Sequence, residues 1–205
     1  MTETIPFRKV FLGVSGASGA IYALRCLQML VEADVEVSLC YSDAARRVLA
    51  EECGLVLGED PSVLFPEDMD CSKVRLDSFQ DIGAPPASGS ALGHAAIIVP
   101  CSLSTLASVS GGRAGNLIER VCQVALKEAK PLIMVPRETP LSRIHLDCMS
   151  RLAWAGATIL PASPGFYHNP RSIDDLVNQV CAKILGVLGI PQKHVQPWQG
   201  SASER

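Results

Sequence analysis

Short apolar runs separated by helical patterns constrain this chain more than any other feature of its sequence. Five such runs occur: Val10 to Val14, Val35 to Tyr41, Ala95 to Pro100, Leu132 to Pro136 and Ala157 to Pro161. Each is rich in β-branched side chains and bounded by Gly, Pro or Ser. Strands that are apolar on both faces belong to a parallel sheet covered by helices above and below. The intervening stretches carry helical periodicity. One runs from Gly19 to Glu32, and a second, Ala44 to Cys53, follows Ser42 as its cap. Asn116 to Ala129 places Leu117, Val121, Val124 and Ala125 on one face. Pro140 to Trp154 is read with Thr139 as cap and Pro140 at the first helical position. Ser172 to Leu188 opens on a capping-box variant with Asp175 at its third position and stops at Gly189 and Pro191. Strand–helix alternation at this spacing builds right-handed βαβ units. The expected fold is α/β: a Rossmann-like three-layer αβα sandwich around a mostly parallel, doubly wound sheet. Residues 1–190 form one domain and 191–205 a polar C-terminal tail. The acidic stretch 58–80 and the Gly/Pro-rich stretch 81–93 read as irregular.

Composition removes several classes of function. At 205 residues the chain buries roughly 70% of the surface its unfolded form exposes. With 48% hydrophobic and 19% charged residues it is not disordered, and a net charge of -3 lacks the basic balance of a general nucleic-acid binder. The eight cysteines form no CxxC pair, and the four histidines (94, 145, 168, 194) have no metal-ligand spacing. Reduced core thiols, no metal site, no membrane span and a cytoplasmic location are the expectation.

In an open α/β sheet, ligands bind at the carboxyl ends of the strands. The first run is followed by GVSGASGA (13–20), whose small residues permit close backbone approach and whose helix N-terminus offers amides to an anion. It is neither GxGxxG, nor a P-loop, nor the GxSxG elbow. Behind the second run, Asp43 is either a ribose contact or, with Ser42, the cap of the next helix. Behind the third, PCSLSTLA brings Ser102, Ser104 and Thr105 to a second helix N-terminus. Behind the fourth, Arg137 and Glu138 stand side by side, and behind the fifth comes Tyr167. Arg120 and Lys127 are seven apart on one helical face, flanked by Glu119 and Glu128, as on a solvated face. Asp174-Asp175 fails the DDxxD diphosphate clamp because position 178 is Asn, and two Asp in a first turn serve the helix dipole. Composition and spacing therefore reach a Rossmann-like domain for a phosphorylated cofactor, with cations left for a second anion.

Together, GVSGASGAIYALR, APPASGS, PCSLSTLA, NLIER, ALKEAKPLIMVPRETPLSRIHL, GATILPASPGFYH and SIDDLVNQ resemble the flavin prenyltransferase (UbiX-like) family, within the FMN-binding homo-oligomeric flavoprotein scaffold, over almost the whole chain. The resemblance implies FMN against Ser15, Gly16, Ala17, Ser18, Ser42, Ser102, Leu103, Ser104, Thr105 and Arg137. It implies dimethylallyl monophosphate as second substrate, its phosphate met by Arg120, Lys127, Arg137, Tyr167 and Lys183, partly across subunit contacts. The family usually has Arg where Lys183 stands, and Lys keeps the charge but not the bidentate fork. Glu138, Glu52 and Ser18 are the implied catalytic residues. Trp198 matches a C-terminal tryptophan, though QPWQG departs from the family's ending.

The implied reaction joins the dimethylallyl group to N5 and C6 of reduced FMN without a metal. The leaving phosphate is stabilised by fixed cations and protonated by Glu138. Prenylated FMN passes to a UbiD-type decarboxylase, in ubiquinone synthesis or aromatic acid degradation, and the assembly is a homo-oligomer, commonly a dodecamer. Two other readings stand beside this one. One is an FMN-dependent decarboxylase of aromatic acids or cysteine-containing substrates, although the PASANT run of the cysteine enzymes is missing. The other is a flavin carrier without chemistry.

Overall fold

The computed structural model describes residues 8–58, 60–66 and 69–196, so Trp198 lies outside the described residues. Its strands are β1 (Lys9–Val14), β2 (Glu36–Tyr41), β3 (Val74–Leu76), β4 (Ala95–Cys101), β5 (Leu132–Pro136) and β6 (Thr158–Ile159). Alternate side chains along them serve two helical layers. Val10, Leu12, Val14, Ile97 and Val99 join a core with α1 (Ala20–Glu32), α2 (Asp43–Cys53) and α6 (Ile173–Val187). Phe11, Ile98, Cys101 and Met134 join the opposite core with α3 (Leu103–Ser110), α4 (Leu117–Lys127) and α5 (Arg143–Trp154). Both sets are essentially inaccessible to water, which is why these strands read as continuous apolar runs.

The sheet order is β3-β2-β1-β4-β5-β6 and every pairing is parallel. "Mostly parallel" thus becomes wholly parallel. The order reverses between β1 and β4, and a crevice opens at such a reversal beyond the carboxyl ends of the strands. Among the described residues, no helix is long and apolar enough to cross a membrane.

Two elements differ from the sequence reading. β3 falls inside the stretch read as irregular. It is a short edge strand, paired through Val37 with Val74, and a polar cluster secures it. Asp77, buried just beyond it, accepts from the hydroxyl of Ser38 and from Arg75 Nε at 3.0 Å. The fifth helix starts at Arg143, not Pro140. Ser142 Oγ accepts from His145 N at 3.3 Å and His145 Nδ1 accepts from Ser142 N at 3.2 Å, a reciprocal box that fixes the start three residues later. All eight cysteines are free, six of them buried. Burial pushes the Cys26 and Cys40 thiols up to about 12, which keeps them protonated and unreactive at neutral pH.

Candidate active site

The crevice between β1 and β4 is closed at its floor by one hydroxyl. Ser15, buried just past β1, donates Oγ to Pro100 O at 3.0 Å and accepts from Ser102 N at 2.7 Å; its own amide also donates to Pro100 O, at 3.2 Å. The loops after β1 and β4 are therefore tied together. Ser15→Ala removes both side-chain bonds and leaves the Ser102 amide without its partner. A loss of about 2 kcal/mol is expected, seen as a melting temperature lower by about 4–8 °C in a calorimetric scan.

Ser102 also caps α3. Its Oγ accepts from Thr105 N at 3.3 Å and lies 3.1 Å from Thr105 Oγ1. The amides of Leu103 and Ser104 precede the first intrahelical donor, Leu106 N, which bonds Ser102 O, so the helix itself does not use them. On the other side of β1, Ser42 N donates to Val14 O at 3.0 Å, and Ser42 Oγ caps α2 through Ala45 N at 3.1 Å. Asp43 is an exposed residue of that first turn. Gly16 is required by packing, because a Cβ there would stand 2.4 Å from the Cβ of Ala44.

Above this floor three side chains meet. Arg137, just past β5, donates Nε to Ser18 O at 2.8 Å. Glu52, from the last turn of α2, accepts from Gly19 N at 2.9 Å and Ala20 N at 2.8 Å. The α1 N-terminus is thus capped by a carboxylate of the chain itself, and these two amides are not free for an external anion. Partial burial alone would raise the Glu52 carboxyl. Hydrogen bonds from the Ser18 hydroxyl and the two amides, with the Arg137 charge, outweigh it and hold the group below its ordinary value.

The remaining candidates spread outward. Glu138 is exposed, with Oε1 accepting from Thr139 N at 3.0 Å. Tyr167 and Lys183 border one cleft of about 280 Å³, with His168 and Gln179 beside them. Sequence reasoning missed the last two. Gln179 Oε1 accepts from Gly165 N at 2.8 Å and so shapes the loop before Tyr167. His168 enters the sequence reading only through metal spacing; neither of its ring nitrogens has a hydrogen-bond partner among the described residues. Arg120 is exposed in the first half of α4. Lys127, at the far end of α4, pairs with Glu128, and Glu128 lies against Gly89. The neighbouring Lys130 bonds Gly93 O, next to the start of β1. The chain does not bring Lys127 to the carboxyl ends of its own strands. Asp174 pairs with Arg25 at 3.2 Å and Asp175 completes the α6 capping box, as a helix-dipole role requires.

A family model described as Flavoprotein matches residues 2–185. Flavin prenyltransferase UbiX of Pseudomonas aeruginosa is 46% identical over 195 residues, 93% of each chain. This chain belongs to the flavin prenyltransferase family. Solved structures of family members agree. One of AnUbiX (PadA1) in complex with FMN and dimethylallyl pyrophosphate superimposes with a TM-score of 0.87 at 33% identity, covering 95% of this chain and 99% of that one. A dodecameric FMN-dependent UbiX-like decarboxylase from Escherichia coli O157:H7 gives 0.85 at 34% identity, covering 94% and 100%. Within the family's shared architecture, the Ser15–Ser102 tie and the Arg137–Ser18–Glu52 cluster form the centre of the crevice in this member.

Proposed function

We propose that this flavin prenyltransferase joins the dimethylallyl group of dimethylallyl monophosphate to N5 and C6 of reduced FMN. The observation that carries the reading is the Arg137–Ser18–Glu52 cluster at the strand ends of a chain in this family. The crevice fits a flavin nucleotide. Its walls at Ser15 to Ser18 and Ser102 to Thr105 are small or hydroxylated apart from Leu103, and the Leu103 and Ser104 amides suit an anionic phosphate. Reduced FMN, when bound, supplies the nucleophilic N5 and the adjoining C6.

The chain's own residues have separate tasks. Arg137, Lys183 and the Tyr167 hydroxyl hold the allylic phosphate and neutralise the charge that builds as its C–O bond breaks. Arg120 and Lys127 complete that set from a neighbouring copy, consistent with Lys127 lying toward the amino ends of its own strands. Glu138 gives a proton to the departing phosphate. Glu52, kept ionised by Ser18, two amides and Arg137, accepts the ring proton at its carboxylate. The homo-oligomer has a physical basis in large apolar side chains on α5: Trp154 is 92% and Ile144 72% exposed. The product is handed to a UbiD-type decarboxylase.

Glu138 tests the division of labour. Glu138→Gln is expected to lower turnover about a hundredfold while FMN affinity stays within about twofold, because only the proton is lost. Single-turnover assays with dithionite-reduced FMN, set beside fluorescence titration of FMN, measure both. Wild-type turnover removes Glu138 from the reaction.

A further inference from the structure

The last described residues are tied back onto the fold. Gln192 closes a turn, its Oε1 accepting from His194 N and Val195 N at 2.8 Å each and its Nε2 donating to Val195 O at 2.8 Å. His194 then reaches Glu32, the final residue of α1, with Nε2 2.7 Å from Oε2. The two side chains are only 20% and 25% exposed. Lys193 Nζ stands 3.5 Å from the same oxygen but is 77% exposed, so it adds little. The other charged groups around Glu32 are Asp34, Asp70 and Lys73, which border the adjoining cleft, and Lys73 is engaged by Asp34. The short, shielded contact in this group is therefore the one to His194. Beyond it, Val195 and Gln196 turn back along α6 and line the same cleft as Tyr167 and Lys183.

We propose that Glu32 and His194 are positioning residues for the prenyl phosphate: their contact fixes the turn so that Val195 and Gln196 form one wall of the cleft facing Tyr167 and Lys183. This rests on the reading of Tyr167 and Lys183 as the phosphate subsite. A wall made of untethered chain must be ordered each time substrate enters, and that ordering cost opposes binding. A wall already pinned to α1 avoids it. The contact is remote from the reacting atoms, so it acts on substrate affinity and leaves the chemical step alone.

The test uses the full chain with saturating reduced FMN and varied dimethylallyl monophosphate. His194→Ala is expected to raise KM about tenfold with kcat within about twofold. Glu32→Ala should match it, and the double variant should be no worse than either single one, because both remove one contact. His194→Gln, whose amide nitrogen can still donate to Glu32, should recover most of the loss. Hydrogen exchange at residues 192–196 should quicken in His194→Ala while FMN affinity is unchanged. Lys183→Ala runs alongside. If Lys183→Ala raises KM and His194→Ala does not, the tether has no positioning role. Additive effects in the double variant overturn the pairing in the same way. If Lys183→Ala itself keeps the wild-type KM, the phosphate subsite has been misplaced, and the proposal falls with it.

Discussion

Arg137→Ala is expected to release FMN during gel filtration and to lower turnover about a thousandfold. Two losses combine. The guanidinium bonds Ser18 O at 2.8 Å and so sets the loop proposed to carry the flavin. In the proposed reaction it is also a fixed positive charge beside the leaving phosphate, and such preorganised groups are worth about 2.7–4 kcal/mol each. A third consequence follows from Glu52: without the Arg137 charge its carboxyl moves back toward its ordinary range. Arg137→Lys separates the contributions. It keeps the charge but not the planar fork, so flavin retention should fall between wild type and Arg137→Ala. Retained yellow protein and near-normal turnover in Arg137→Ala would remove the guanidinium from the site.

Glu52→Gln is the second large effect, an expected drop in turnover of about a hundredfold or more with the fold intact. The amide oxygen can still accept from Gly19 N or Ala20 N, so the α1 cap is partly kept, while the negative charge is gone. The pH dependence has a defined sign. A carboxyl held below its unfolded value adds stability above the unfolded range, and that stability is lost as pH falls through the depressed folded value. The unfolded carboxyl titrates near about pH 4.3. Wild type should therefore lose stability below about pH 4.3 more steeply than Glu52→Gln, measured by denaturant melts across acid pH. Identical pH profiles for the two proteins would show that Glu52 is not held ionised by its partners.

The central strands were legible because each side chain of Val10 to Val14 or Ala95 to Pro100 is buried against one helical layer or the other, leaving no polar face to confuse the pattern. β3 was not. Its three residues are too few to show a period, and what secures them is Asp77 meeting Ser38 from another strand. The start of α5 was misplaced because Pro140 satisfies the rule for a first helical position, whereas the Ser142–His145 box uses His where Glu or Gln is usual. Ser15, Ser42 and Ser102 could be found because each stands within two residues of the end of an apolar run. Glu52 as the cap of α1 could not, since its partners lie 32 and 33 residues away on a different helix. Arg120 and Lys127 do share a helical face, but seven residues along a helix is about 10 Å. That distance carries Lys127 toward the amino ends of the strands, beside Gly89 and Gly93.

In the proposed reaction the chain's own cations detach an allylic phosphate beside a reduced flavin. The direct measurement is mass spectrometry of the flavin after anaerobic incubation of the protein with reduced FMN and dimethylallyl monophosphate, with the pyrophosphate in a parallel reaction. A flavin heavier by one five-carbon unit, formed with the monophosphate and without any partner protein, is the predicted result. Recovery of unaltered FMN from both reactions, with the protein folded and the flavin bound, would contradict it.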